Sequence, residues 1–265
     1  MAPAGPHGGV SAIERALRWP LRPRLSRRAN GLLGGLALFV GVVLIVDAVA
    51  TVLWQDPITA VFAQADQKAL SKKLEQFERA PLPAGTLALV KKAGTAEQRM
   101  AVLAGDLGRR AAPGSPLGRI AASRAGASFV FVAGTGESSL RKGPGHYAGT
   151  ALPGQRGTVA VAGHRTTYSA PFRHLDRLRR GDTITLTMPY GLFSYRVEGK
   201  RVVAPSHVTV LRHVRHDRLI LTTCTPPFSA TKRLIVSARS ERATPRGKAL
   251  DVTPLAPVAP SWTTR

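Results

Sequence analysis

From Gly31 to Trp54 the only charged residue is Asp47. The apolar core of this run is Leu32–Val46, and Ala48–Leu53 extends it. At about 1.5 Å per residue a helix over the run covers about 36 Å, enough for a hydrocarbon layer of about 30 Å. Asp56 and Pro57 then open a segment in which Val61, Phe62, Ala65, Ala69, Leu70, Leu74 and Phe77 recur at helical spacing. The spacing predicts an amphipathic helix over Pro57–Arg79, read as a stalk leading away from a bilayer. Ala80–Pro116 turns to Pro, Gly and Ala and reads as linker, with one short helix at Thr95–Arg110.

Beyond it the period drops towards two. Leu117–Ala121, Ser128–Val132, Thr158–Ala162, Thr183–Met188, Phe193–Val197, Arg201–Ala204, Arg218–Thr223 and Leu234–Ala238 are short, often alternating, and rich in Val, Ile, Thr and Phe. Gly and Pro punctuate them, as in a β-barrel or sandwich. Phe172, Leu175 and Leu178 mark one helical turn or two within Pro171–Arg179. After Ser240 the pattern stops, and the tail reads as disordered. The expected organisation is a basic tail over 1–30, a transmembrane helix over 31–54, a stalk and linker over 55–116, a β-domain over 117–240 and a disordered tail over 241–265.

Charge gives this outline a direction. The chain has 265 residues and a formal net charge of +23, from 38 Lys+Arg against 15 Asp+Glu. Arg15, Arg18, Arg22, Arg24, Arg27 and Arg28 precede the apolar run and no basic residue follows it closely. That asymmetry places the N-terminus in the cytoplasm and the bulk of the chain outside, as a single-pass plasma-membrane protein. A cleaved signal peptide is the rival reading, with Ala48-Val-Ala50 as its small-x-small step, but the run is long for a signal's apolar region. Aromatic residues make up only 6% and are not interleaved with the basic ones, so a nucleic-acid stacking surface is not supported. Envelope anions are the expected neighbours.

One cysteine, Cys224, excludes an internal disulfide framework and a Cys-cluster zinc site. The acids between Leu117 and Ser240 are Glu137, Asp176, Asp182, Glu198 and Asp217, too scattered for a calcium site. His213-x-x-His216 lies in a basic segment and is not read as a metal pair, so neither metal nor cofactor is expected.

Cys224 itself ends a strand-like run, Leu219-Ile-Leu-Thr-Thr-Cys, just before Thr225-Pro-Pro. It reads either as a small buried hydrophobe or as a nucleophile held at a strand end. A free thiol outside the membrane is open to oxidation and mispairing, which gives the second reading weight. A nucleophilic cysteine needs partial thiolate character from a nearby imidazole or cation. His164 ends the run Val159-Ala-Val-Ala-Gly-His, where strand ends on one rim can meet. Arg233 opens the strand Leu234-Ile-Val-Ser-Ala. If that strand pairs with the cysteine's own, the loop returns Arg233 towards Cys224, where a guanidinium orients substrate and stabilises an oxyanion. A loop histidine and a solvated arginine are the alternatives on spacing alone.

Taken in order, these segments resemble the sortases, the membrane-anchored cysteine transpeptidases of Gram-positive bacteria, most of all the actinobacterial class E type. The resemblance covers about Gly118–Ser240. It rests on Lys142-Gly-Pro-Gly-His-Tyr147, Leu152-Pro-Gly154, Gly157-Thr-Val-Ala-Val-Ala-Gly-His-Arg-Thr-Thr-Tyr168, Ala170-Pro-Phe172, Leu221-Thr-Thr-Cys-Thr-Pro226 and Ser229-Ala-Thr-Lys-Arg-Leu-Ile-Val236. It implies a mainly β fold, an eight-stranded sortase-type barrel with His164, Cys224 and Arg233 at one mouth. It implies cleavage of a C-terminal LPXTG- or LAXTG-like sorting signal between Thr and Gly through a Cys224 thioester, and transfer to an amine of a cell-wall precursor or another surface protein such as a pilin. Tyr147, Tyr168 and Thr223 are the implied substrate-binding candidates. A membrane-tethered cysteine hydrolase and a non-catalytic envelope-binding barrel are the competing functions.

Overall fold

The computed structural model describes residues 27–53, 57–212 and 214–249. The chain divides into two compact units, Met1–Ala48 and Val49–Arg265. Helix α1 (Arg27–Leu53) supplies the first. Its stretch Gly31–Val49 is long and apolar enough to cross a membrane. Leu32, Leu38 and Val40 stand uncovered on different sides of it. A helix apolar all round finds its stable solvent in a protein core or in lipid. Trp19, Trp54, Asp56 and the arginines before position 26 lie outside the described residues.

The second unit is built on eight strands: β1 (Pro116–Ala122), β2 (Ala127–Ala133), β3 (Gly145–His146), β4 (Thr158–Ala162), β5 (Thr183–Met188), β6 (Gly191–Val203), β7 (Arg218–Thr225) and β8 (Lys232–Pro245). They close into a barrel in the order β1-β2-β3-β4-β7-β8-β6-β5. Closure removes the exposed sheet edges that invite aggregation. Ile120, Phe131, Val161, Leu186, Leu221 and Val236 meet in the interior. The pairs β2–β3 and β4–β7 are parallel, and the remaining neighbours antiparallel.

β4 is buried at every position because both its faces are covered. Val159 and Val161 enter the main core, while Ala160 joins a second cluster with Val210, Ile220 and Ile235. Phe172, Leu175 and Leu178 are fully buried around the 3-10 turn Leu175–Arg177, the helical turn expected in that segment.

Several boundaries differ from the sequence expectation. Helix α2 (Pro57–Arg79) has the expected span but does not stand away as a stalk. Its Leu70 and Leu74 cover Val130 and Val132 on the outer face of β2. Gln67 also serves the backbone of that strand: its amide accepts from Val130 N at 2.8 Å and donates to Val130 O at 3.0 Å and Lys142 O at 2.7 Å. A two-residue β3 cannot satisfy all of β2, and the glutamine supplies what is missing.

The expected linker folds into two helices, α3 (Ala84–Lys92) and α4 (Ala96–Arg110). Thr95 and Gln98 cap α4 reciprocally, and Val90, Met100, Leu103 and Leu107 enter the main core. The two segments expected at Phe193–Val197 and Arg201–Ala204 are one strand, β6, continuous through a register shift between Val197 and Gly199. β8 runs on to Pro245 by pairing with the start of β6, and Ala249 is buried. Residues 241–249 are therefore part of the folded unit, while 250–265 lie outside the described residues.

Candidate active site

Register brings the three sequence candidates to one rim. β4 and β7 run parallel, with Ala162 opposite Thr222. His164 and Cys224 each lie two residues beyond that pair, so they leave adjacent strands at the same end with the same parity. β7 and β8 are antiparallel, and Cys224 is the direct register partner of Arg233. Residues directly opposite in such a pair put their side chains on one face. The predicted return of Arg233 to Cys224 is thus present.

Local contacts hold these strand ends. Gly163 N donates to Thr222 O at 3.0 Å, continuing the ladder past β4. Thr223 Oγ1 donates to Gly163 O at 2.7 Å in a buried bond. Thr223 therefore ties β7 to β4 directly beneath His164, and its hydroxyl is engaged inside the protein. Gly163 is dictated by packing: a Cβ there would lie 2.6 Å from Phe172 Cδ2. Phe172 N in turn donates to His164 O at 3.0 Å, which fixes the residue carrying the imidazole.

His164 is half-buried, and its ring meets Tyr168 at 5.2 Å between centroids, tilted by 44°. Arg141 lies over the Tyr168 ring, 5.7 Å from its centroid, and pairs with Glu137. Burial pushes the His164 imidazole below its ordinary range, and the Glu137 carboxylate acts in the opposite direction. The neutral imidazole is therefore favoured near neutral pH. His164 Nε2 is buried without a hydrogen-bond partner among the described residues. Tyr168, Ser169 and Ala170 have φ of 52°, 62° and 42°. Three successive non-glycine residues in this region store strain, which concentrates at functional sites.

Cys224 is half-buried. Arg233 donates through Nη1 to Ala230 O at 2.9 Å and Lys232 O at 3.2 Å, so its guanidinium rests on its own hairpin loop. Tyr147 shares a 2.9 Å hydrogen bond with Thr222 Oγ1, on the strand that carries Cys224. His213 lies outside the described residues.

Sequence reasoning missed Arg165. Only 8% of its side chain is exposed, and it pairs with Asp176 Oδ1 at 3.1 Å. It also donates to Thr225 Oγ1 at 2.8 Å and to the Cys224 carbonyl at 3.4 Å. It thereby holds the β7 end at the Cys224 carbonyl and the residue that follows. Its only sequence signal is its place directly after His164, which carries little weight among so many arginines.

A closed barrel with a thiol, an imidazole and a guanidinium on adjacent strand ends defines a class of proteins with a cysteine-centred rim. The sortase-domain family model matches residues 120–241. Sortase D of Bacillus subtilis is 36% identical over 116 residues, 42% of this chain and 56% of that protein. Sortase SrtE1 of Streptomyces coelicolor is 36% identical over 118 residues, 39% of this chain and 34% of that protein. The chain thus spans about half or less of these curated relatives. The crystal structure of sortase E1 from Streptomyces coelicolor, which has a tripeptide in its active site, is 29% identical and covers 52% of this chain and 95% of that one, with a TM-score of 0.48. Over residues 120–241 the barrel domain is similar to the sortases.

Proposed function

We propose that the barrel is a cysteine transpeptidase. The observation that carries this is the row His164, Cys224 and Arg233 across the matching ends of β4, β7 and β8. In the first step the neutral His164 takes the thiol proton and Cys224 Sγ attacks the Thr carbonyl of a C-terminal LPXTG- or LAXTG-like signal. The tetrahedral intermediate collapses, the Thr–Gly C–N bond breaks, and His164 returns the proton to the leaving amine. A thioester on Cys224 remains. An acceptor amine attacks it and gives a proton to His164; the C–S bond breaks, an amide forms, and His164 returns the proton to the departing Cys224 sulfur. Covalent catalysis thus divides one hard acyl transfer into two easier ones.

Arg233 swings from its loop carbonyls to hold the signal and the oxyanion. Arg165 is a positioning residue that fixes the Cys224 peptide. Thr223 sets the spacing of the two strands, while Tyr168 and Tyr147 border the signal. The partners are surface proteins with sorting signals and an amine of a cell-wall precursor or pilin subunit. Helix α1 is a single-pass anchor with its N-terminus in the cytoplasm and the barrel outside.

The test incubates the full chain in detergent with a signal peptide and a primary amine, read by mass spectrometry. The expected results are an acyl adduct on Cys224 and an amide product, both absent in Cys224→Ala. Hydrolysis without amide defeats transpeptidation in favour of a hydrolase. Turnover that survives in Cys224→Ala, or no adduct with any signal peptide, defeats the enzyme.

A further inference from the structure

Between β2 and β3 the chain forms the short helix α5 (Glu137–Leu140), capped by Arg141. The base of Arg141 is fixed to the barrel. Ser139 is buried, and Gln67 donates to the Lys142 carbonyl at 2.7 Å. A Cβ on Gly143 would overlap Gln67 Nε2 and lie 2.8 Å from the Val130 carbonyl, so the chain passes too close there for any larger residue. Gly145 then pairs with Ala162, two residues before His164. This segment therefore runs beside the rim that carries the imidazole. From it Arg141 reaches over the Tyr168 ring, and the same ring meets the imidazole of His164. Glu137, one turn back, pairs with the guanidinium and holds it there.

The imidazole needs support from outside its own residue. Rotation of a histidine ring about χ2 is soft. His164 Nε2 is buried and meets no hydrogen-bond partner among the described residues, so no bond through that nitrogen sets the rotation. The bond from Phe172 N to His164 O fixes the backbone and leaves the ring free. Contact with Tyr168 is what orients it.

Tyr168 is itself costly to hold. It opens the run of three residues at positive φ, a conformation that persists in non-glycine residues only where the surroundings over-determine it. Ala170 is buried and anchors the far end of the run. At the near end a cation lies over the electron-rich face of the Tyr168 ring. The partners of Arg141 are thus Glu137 and Tyr168, one side chain short of the imidazole.

We infer that Arg141 is a positioning residue for proton transfer, acting on His164 through Tyr168. The inference rests on the transpeptidase reading and deepens it: Tyr168 both borders the signal and sets the ring that takes the thiol proton. A proton acceptor must stand within hydrogen-bond reach of its donor, and an error of about 1 Å costs about a hundredfold.

The test uses the full chain in detergent and two readouts. One is turnover of a quenched signal peptide with a primary amine. The other is carbethoxylation by diethyl pyrocarbonate, mapped by mass spectrometry, which needs no turnover. Arg141→Met is expected to lower kcat about three- to tenfold with KM within about twofold, as fits a partly desolvated cation–π contact. Tyr168→Leu costs at least about thirtyfold. The double variant loses no more than Tyr168→Leu alone, because Arg141 then has nothing to act through. Arg141→Lys, which keeps a cation over the ring, recovers part of kcat. His164 is modified slowly in the parent and at least about threefold faster in Arg141→Met and Tyr168→Leu. His146, buried on β3, keeps its parent rate, whereas a general loosening of the fold would speed both. Losses that multiply in the double variant overturn the inference. So does a rise in KM at unchanged kcat, or modification of His164 at the parent rate in Arg141→Met. Absence of turnover in the parent, beside the expected pattern of His164 modification, sinks the transpeptidase reading alone.

Discussion

Replacing Arg165 by methionine separates holding the thiol in place from merely holding the fold together. Methionine keeps much of the aliphatic stem and removes three polar contacts: Thr225 Oγ1 at 2.8 Å, Asp176 Oδ1 at 3.1 Å and the Cys224 carbonyl at 3.4 Å. The first is a well-formed bond to a charged donor, about 1.5–3 kcal/mol. The second is discounted to about 1 kcal/mol or less because the Asp176 side chain is 51% exposed. The third is long and adds little. Relief of a buried charge whose Nε lacks a partner offsets part of this sum. A net loss of about 2 kcal/mol remains, or about 4–8 °C in melting temperature for a unit of this size. Activity falls further than stability explains, because displacing a reacting atom by about 1 Å costs about a hundredfold. We expect kcat for signal-peptide cleavage to drop about 10–100-fold, with KM within about twofold. Arg165→Lys, which keeps the charge but not the fork, recovers part of kcat. The assay is release of a quenched fluorophore from a signal peptide by the full chain in detergent, well below the variant's melting temperature. A kcat within about twofold of the parent, alongside the lowered melting temperature, would refute the positioning role and leave Arg165 a stabilising residue only.

Three other outcomes follow from the same geometry. Glu137 raises the pKa of His164, so Glu137→Gln lets it fall further and moves the acid limb of kcat/KM to lower pH; a limb that stays or moves up contradicts a neutral His164 as proton acceptor. His146, His164 and His174 all have imidazoles depressed first by burial. The unfolded chain therefore takes up their protons first, so their contribution is complete above about pH 6.5 and is lost as pH falls through the lower folded values. A melting temperature unchanged between about pH 7.5 and 5.5 would contradict that. Gly163→Ala puts a Cβ 2.6 Å from Phe172, and we expect about 1–3 kcal/mol of destabilisation in a denaturant titration together with loss of turnover; a parent-like midpoint would show that Phe172 yields freely.

How far the sequence discloses this structure depends on how many residues carry each signal. β5 falls on its expected bounds because every second side chain is buried, and β4 because apolar residues fill both its faces. β6 was split at Glu198-Gly199, which reads as a turn locally, yet pairing with β8 resumes at Gly199 after a one-residue shift. β3 is two residues long, too short for any period, and exists because Gly145 and His146 lie between two longer strands. The polar end of β8 shows no alternation because its outward positions are solvated, and only the backbone of β6 defines it. α4 was expected as one short helix at Thr95–Arg110, and the structure shows its start fixed by the reciprocal cap of Thr95 and Gln98. The convergence of His164, Cys224 and Arg233 on one rim was legible because each sits at the edge of a strong strand signal. Arg165 was not, because its meaning comes from Asp176 and Thr225, which only the fold brings to it.

The site is therefore a product of register more than of any one loop. A slip of one residue between β4 and β7 would send His164 and Cys224 to opposite faces, since side chains alternate along a strand. A slip between β7 and β8 would do the same to Cys224 and Arg233. What forbids both is paired burial. Val159 and Val161 must enter the main core while Ala160 and Ile220 fill the outer cluster with Ile235, so β4, β7 and β8 are constrained from two sides at once. Thr223 and Gly163 add a lock at the rim, where the ladder ends and burial no longer sets register. Rim chemistry in this barrel thus depends on apolar residues well inside it. Substitutions at Ala160 or Ile220 that leave the fold standing should degrade the alignment of His164 and Cys224 before they abolish folding.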